Sequence, residues 1–241
     1  MDVFGFKTVD SLPALYHPEL DILAVSDLHL GLEKAVSYDG NYVPKFQLEE
    51  IKEDIRTLKE ETDASRILLN GDLKHEFSHT RFSEKEEIEE FFKFLQRVFQ
   101  EIIVIEGNHD TYLEDIIPEE NLAESFLEDG VLFTHGHRRI EDKEFETLVI
   151  GHEHPALELE DEIGITEKFD CLLYGQMEDD RNIIVLPAFS KMAGGSGVNK
   201  MPSSELLSPV LRDKTDVRIL KAIAIDKEAG IFEFPRLHRI Q

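Results

Sequence analysis

The stretch "IIVIEGNHD", residues 102–110, sets four apolar residues directly against a glutamate, a glycine, an amide, an imidazole and a carboxylate. A short apolar run with such an end suits a strand buried on both faces, as in sheets covered by helices. The polar tail then falls at the strand's carboxyl end, the edge where open α/β sheets bind ligands. The pattern repeats outward in both directions. "ILAV" (22–25) leads into "SDLHLG", with Asp27 and His29, and "ILL" (67–69) into "NGDLKHEF", with Asp72 and His75. "VLF" (131–133) leads into "THGHRR", with His135 and His137, and "LVI" (148–150) into "GHEHP", with His152 and His154. One histidine after a strand is usually structural. Five polar strand ends in register converge on a single site.

Two amphipathic helices separate these runs. Residues 46–61 carry Leu48, Ile51, Ile55 and Leu58 at spacings of three and four, and residues 83–100 carry Ile88, Phe91, Phe92, Leu95, Val98 and Phe99. Ser83 with Glu86 three residues later reads as a capping box for the second helix. Beyond residue 155, apolar runs recur without convincing helices: "LELEDEIGI", "CLLYG", "NIIVLPAF", "VRILKAIAI" and "GIFEFP". They predict a second, more antiparallel sheet. "KMAGGSGVNKMPSSELLSP" (191–209) reads as a loop with at most one short helix, and its "GGSG" lacks the Lys-Ser/Thr ending of a phosphate-binding P-loop. The expectation is an α/β fold of two facing mixed sheets with helices outside, in one domain spanning 1–241.

Composition bounds the function. The 241 residues contain 26 Lys+Arg against 51 Asp+Glu, a net charge of −25. Nucleic-acid binders usually carry the opposite sign, because phosphate neutralisation supplies much of their affinity. Long polyanions are therefore disfavoured unless a local positive site overcomes the field. The acidity reads as solubility, in a salty cytoplasm for instance, or as a surface for a basic partner. Cys171 is the only cysteine, which excludes an intrachain disulfide and a thiolate metal cage, and it reads as a small packing residue. No apolar run reaches the ~20 residues of a membrane span, and the start lacks signal-peptide character, so cytoplasmic residence is expected.

The clustered donors are His, Asp and Asn without sulfur. They suit Mn²⁺, Fe²⁺, Zn²⁺ or Ni²⁺, and their number suits two ions sharing a bridging carboxylate better than one tetrahedral ion. In Asp27-Leu28-His29 and His152-Glu153-His154 the paired residues lie two apart. That spacing sends both donors one way, with Leu28 toward the core and Glu153 away from the donors. Gly71, Gly107, Gly136 and Gly151 stand beside the donors, where close backbone approach or an unusual dihedral is needed.

In order, D-x-H, G-D, G-N-H-D, a histidine after an apolar run and G-H-x-H resemble the calcineurin-like metallophosphoesterases. The resemblance covers Asp27 to His154. "DLHLG", "GDLKHEF" and "PAFSKMAGG" look closest to small prokaryotic phosphoesterases related to SbcD nucleases. The resemblance implies a four-layer α/β/β/α sandwich. It implies one metal held by Asp27, His29, Asp72 and His154, and another by Asp72, Asn108, His135 and His152, with Asp72 bridging. It implies that His109 serves the leaving group rather than a metal, with Asp110 orienting it. The function this implies is hydrolysis of phosphate esters by attack of a metal-bound hydroxide, with two divalent ions, Mn²⁺ first. Substrates would be phosphodiesters of nucleotides or single-stranded DNA or RNA, since the charge and length leave little for duplex processing. The alternative is a non-catalytic scaffold that keeps the fold for partner docking.

Other residues stay open at this level. His137, Arg138 and Arg139 contact substrate phosphate or pair with Glu141 and Asp142. His75 contacts substrate or supports a ligand. His79 reads as a surface residue, and His17 and His238 as surface or packing residues. Glu106 has no assigned role.

Overall fold

The computed structural model describes residues 1–38, 46–77, 82–140, 144–161 and 163–240. Among them, the first sheet holds β1 (Asp2–Val3), β2 (Phe6–Thr8), β3 (Leu15–His17), β4 (Ile22–Val25), β5 (Arg66–Asn70), β6 (Glu101–Ile105) and β7 (Leu122–Ala123), in that spatial order. β1 to β4 form an antiparallel meander, and β4 to β7 run parallel. Parallel neighbours need crossovers. Helices α1 (Leu32–Tyr38) and α2 (Gln47–Thr62) lie between β4 and β5, and α3 (Phe82–Val98) joins β5 to β6.

The second sheet holds β8 (Phe126–Glu128), β9 (Val131–Phe133), β10 (Thr147–Ile150), β11 (Pro155–Glu160), β12 (Thr166–Gln176), β13 (Asn182–Val185) and β14 (Ser196–Gly197). Their spatial order is β14-β11-β12-β13-β10-β9-β8. β15 (Lys221–Asp226) pairs with β12 and with β16 (Gly230–Arg236). A short helix, α4 (Pro209–Lys214), lies outside it.

Alternation along the strands makes the layers. In β4, Leu23 and Val25 pack under α2 and α3 with Ile51, Ile55, Leu58, Ile88, Phe91 and Leu95. Ile22 and Ala24 point the other way, between the sheets, with Leu68, Ile103, Phe133, Val149 and Ile184. The far face of the second sheet buries Leu148, Ile150, Ile183 and Val185 against Val210 and Leu211 of α4. Burying each such side chain stabilises the fold by about 1.5–3 kcal/mol relative to exposure. The result is the expected α/β arrangement of two facing mixed sheets with helices outside.

The five predicted site-bearing strands are present, extended by a residue at Arg66, Asn70, Glu101 and Thr147. Other details differ. The N-terminal meander was not predicted, and the run 217–225 splits into a 3₁₀ turn (Val217–Ile219) and β15. His79, Glu141 and Asp142 fall outside the described residues, as does the side chain of Ser83. His17 packs edge-on against Phe6, and the His238 ring lies 2.9 Å from the Arg218 carbonyl. Among the described residues, no helix is long and apolar enough to cross a membrane.

Candidate metal centre

Register brings the donors together. In the first sheet Val25 pairs with Leu69 and Asn70 with Ile105, so three strands end at one level. In the second, Val149 pairs with Phe133 and Ile150 with Val185. Asn70, fully buried, spans the two sheets. Its amide donates to the Thr134 carbonyl at 3.2 Å, and its own carbonyl lies 3.0 Å from His135 Nδ1.

Asp72 stands at the centre. Its Oδ2 lies 3.3 Å from His135 Nε2, 3.7 Å from His109 Nε2 and 3.9 Å from His29 Nε2. Three donor groups share this neighbourhood: Asp27, His29 and His154 on one side, Asp72, His135 and His152 on the other, and His29 again with His75 and His109. His154 Nε2 is 3.1 Å from Asp27 Oδ1 and 3.2 Å from His29 Nε2. Asn108 Oδ1 and His29 Nδ1 are buried without a hydrogen-bond partner among the described residues. Crowded imidazoles around two buried carboxylates, with acceptor atoms left over, fit divalent cations.

Electrostatics favour metal binding at His29 and His152 and oppose it at His135. Burial pushes His29 and His152 down to about 4, which leaves their lone pairs free at neutral pH. Burial opposes protonation of His135 too, but Asp72 and Asp27 beside it lift its pKa to about 9. Burial would raise the Asp27 carboxyl, yet His154, His135 and His29 hold it well below the usual carboxylate range.

The backbone is strained at the donors. Asp27 (φ 56°), His29 (48°), Asp72 (51°), His152 (66°) and His154 (45°) all occupy the left-handed region. Such conformations cost about 1–3 kcal/mol each and persist where surroundings over-determine them. Here the Asp27 N–H donates to the Gly71 carbonyl at 3.0 Å and the His29 N–H to the Asp72 carbonyl at 3.0 Å. The His152 N–H donates to Asp27 Oδ2 at 3.1 Å. Two glycines are required for close approach. A Cβ on Gly107 would overlap Asp72 Oδ1, and one on Gly151 would overlap Ser26 Oγ. Leu28 and Glu153 turn away from the donors as expected. Leu28 enters the helix-side core, and Glu153, wholly buried, accepts the Ser208 N–H at 3.0 Å.

The Asp110 carboxylate meets backbone rather than the His109 ring. Its buried carboxylate accepts the Gly107 N–H at 2.8 Å and the Lys74 N–H at 3.1 Å, so it braces two loops. Burial and the charge of Asp72 push it up to about 6, against those two N–H groups. The His109 ring is held instead through Nδ1, against the His75 carbonyl. The His75 ring stacks 5.7 Å from that of His109 and lies 5.6 Å from that of His29. His137 packs 5.2 Å from the His135 ring. It lines a hollow of about 300 Å³ with Gly107, Thr111, Thr134, Arg138 and Arg139. Arg138 pairs with Glu124 at 3.3 Å and Arg139 with Asp213 at 3.1 Å, both largely exposed. Burial pushes His137 down to about 4, and its Nδ1 has no partner among the described residues. Loop 188–196 closes another flank, where the Ser190 N–H donates to the Asp27 carbonyl and the Ser196 N–H to the His154 carbonyl.

Sequence reasoning missed Ser26 and Asn70. Ser26 Oγ lies 2.7 Å from Asp27 Oδ2 and 3.0 Å from the Asn70 carbonyl. The only signal was position, each lying one residue beyond an apolar run and next to a donor or its glycine.

The family model for calcineurin-like phosphoesterases matches residues 20–220. Among solved structures, nuclease MPE of Pseudomonas putida aligns with a TM-score of 0.63 at 17% identity, over 97% of this chain and 98% of that one. Yfce, a phosphoesterase from E. coli, aligns with a TM-score of 0.42 at 16% identity, over 89% and 98%. No curated protein matches the chain significantly.

Proposed function

The chain belongs to the calcineurin-like phosphoesterase family and is a metal-dependent hydrolase, and we propose that it cleaves phosphodiesters of nucleotides or single-stranded nucleic acid using two divalent ions, Mn²⁺ foremost. The observation that carries this reading is Asp72 Oδ2, which lies within reach of donors from both aspartate-bearing groups, as a bridging carboxylate would. Asp27, His29, Asp72 and His154 would hold one ion, and Asp72, Asn108, His135 and His152 the other. Two ions there would polarise the phosphoryl oxygens and activate water as the nucleophile.

The remaining residues orient the ester and manage a proton. His109 turns Nδ1 to the His75 carbonyl, and its Nε2 faces the centre, 3.7 Å from Asp72 Oδ2. The carbonyl takes the Nδ1–H and fixes the ring, which leaves Nε2 aimed at the centre as the atom that would exchange a proton with the leaving oxygen. Asp110 keeps the loop of Asn108 and His109 against the loop of Lys74 and His75. His137 faces the adjoining hollow and offers an imidazole N–H to a phosphate oxygen, with Arg138 at its mouth.

The test is turnover of bis-p-nitrophenyl phosphate with added Mn²⁺, set beside a monoester, a cyclic nucleotide and single-stranded DNA. Diester hydrolysis that dominates the panel supports the proposal. No turnover of any substrate with any divalent ion overturns it.

A further inference from the structure

A net charge of −25 gives a nucleic-acid substrate little to gain from phosphate neutralisation outside the metal centre. Affinity must then come from a surface that grips something other than phosphate. Two large aromatic side chains stand exposed on the loops beside His109. Phe77 is 53% exposed and Tyr112 55%. The Phe77 ring lies over the His109 ring, with centroids 3.5 Å apart at 36°.

The described parts of these loops are held by hydrogen bonds. The Thr111 hydroxyl donates to the Phe77 carbonyl, the Lys74 N–H donates to Asp110 at 3.1 Å, and the His109 ring holds the His75 carbonyl. Glu84 of α3, itself buried, accepts the N–H groups of His75 at 3.1 Å and Glu76 at 3.0 Å. Tyr112 occupies the left-handed region at φ 64°, and the next residue, Leu113, is fully buried and anchors the turn. A tyrosine in that conformation is uncommon and strained. The fold thus fixes two exposed aromatics at the edge of the site with their backbones tied down.

We infer that Phe77 is a stacking platform for an unpaired nucleobase flanking the scissile phosphate. The inference rests on the phosphodiesterase reading and narrows it. Stacking tolerates any base, because every base has a π-face, and it needs that face uncovered. A duplex keeps its bases covered, whereas a single strand offers them at no unpairing cost. The acidic surface then rejects long backbone contacts while the Phe77 ring accepts the base.

The experiment compares wild-type, Phe77→Ala and Phe77→Trp proteins, each loaded with Mn²⁺. The substrates are a single-stranded oligodeoxynucleotide and the base-free deoxyribose-phosphate strand of equal length. The readout is the ratio of kcat/KM for the intact strand to that for the base-free strand, which cancels any general loss from disturbing His109. Phe77→Ala should collapse the wild-type preference about five- to hundredfold, the range for loss of one stacked base, and Phe77→Trp should restore it. A wild-type enzyme without preference, or a preference unchanged in Phe77→Ala, overturns the inference. If neither strand is cleaved, the phosphodiesterase reading fails on its own. Quenching of a 2-aminopurine single strand, present in wild type and lost in Phe77→Ala, then still reads the stacking, and its absence in wild type refutes it.

Discussion

Metal uptake should expel a proton from His135. In the metal-free protein Asp72 and Asp27 raise this imidazole to about 9, yet a ligand histidine must be neutral. At pH 7 the ring is thus two units below its pKa, and displacing its proton costs about 2.7 kcal/mol. Apparent affinity should then be about a hundredfold weaker at pH 7 than where the ring is neutral, rising about tenfold per pH unit between. His29 and His152, pushed down to about 4, are already neutral and release nothing. His154, which burial lowers but Asp27 and Asp72 lift above its ordinary value overall, adds a fraction. The count is measurable by titrating Mn²⁺ calorimetrically in buffers of different ionisation enthalpy at pH 7, and one to two protons should leave. The metal-free fold should show the opposite trend. A raised histidine pKa stabilises the folded state fully below the unfolded value of about 6.5, and that stability is lost as pH climbs through about 9. Melting temperature without metal should therefore fall over the window in which affinity rises. No proton release, with affinity flat from pH 6.5 to 8, would refute the assignment of His135 as a buried, carboxylate-flanked ligand.

Three further outcomes are expected. His109→Asn should lower kcat about 10²–10⁴-fold for an alkyl diester, with bound metal unchanged by elemental analysis, and full turnover would show the ring is no proton donor. Gly107→Ala forces a methyl group into Asp72, so it should reduce metal content and cost about 1–3 kcal/mol of stability, whereas wild-type metal content and melting temperature would contradict the close approach. Asn70→Ala removes the amide that ties the sheets together and should cost about 1–3 kcal/mol in urea unfolding, with an unshifted midpoint counting against it.

The centre was legible because each donor follows a strand whose apolar run is unmistakable, and because donors two apart, such as Asp27 and His29, turn the same way. The meander from β1 to β3 was not legible. Strands such as Asp2–Val3 and Phe6–Thr8 are too short to show a period, and their pairing is decided by the core they cover. The partners of Asp110 were not legible for a different reason. Its neighbour in sequence is His109, but its partner is the Lys74 N–H, brought across 36 positions by the pairing of β5 with β6. Local order suggests which side chains carry chemistry, whereas the direction each one faces is a property of the assembled loops. Ser26 and Asn70 were overlooked because a serine and an asparagine at strand ends are common, and only the assembled strands give Ser26 its link to Asp27 and Asn70 its bridge to the second sheet.

The donor set is divided between the two sheets: Asp27, His29, Asp72 and Asn108 follow strands of the first, and His135, His152 and His154 follow strands of the second. Neither half can gather a complete set alone, so metal capture reports the docking of one sheet on the other. A refolding chain should regain helical signal before it takes up metal, and the late appearance of bound ion would time the closing of the sandwich. Ions that bind only the closed form also hold it closed by mass action, so the two cations proposed to serve the chemistry would also act as rivets of the fold.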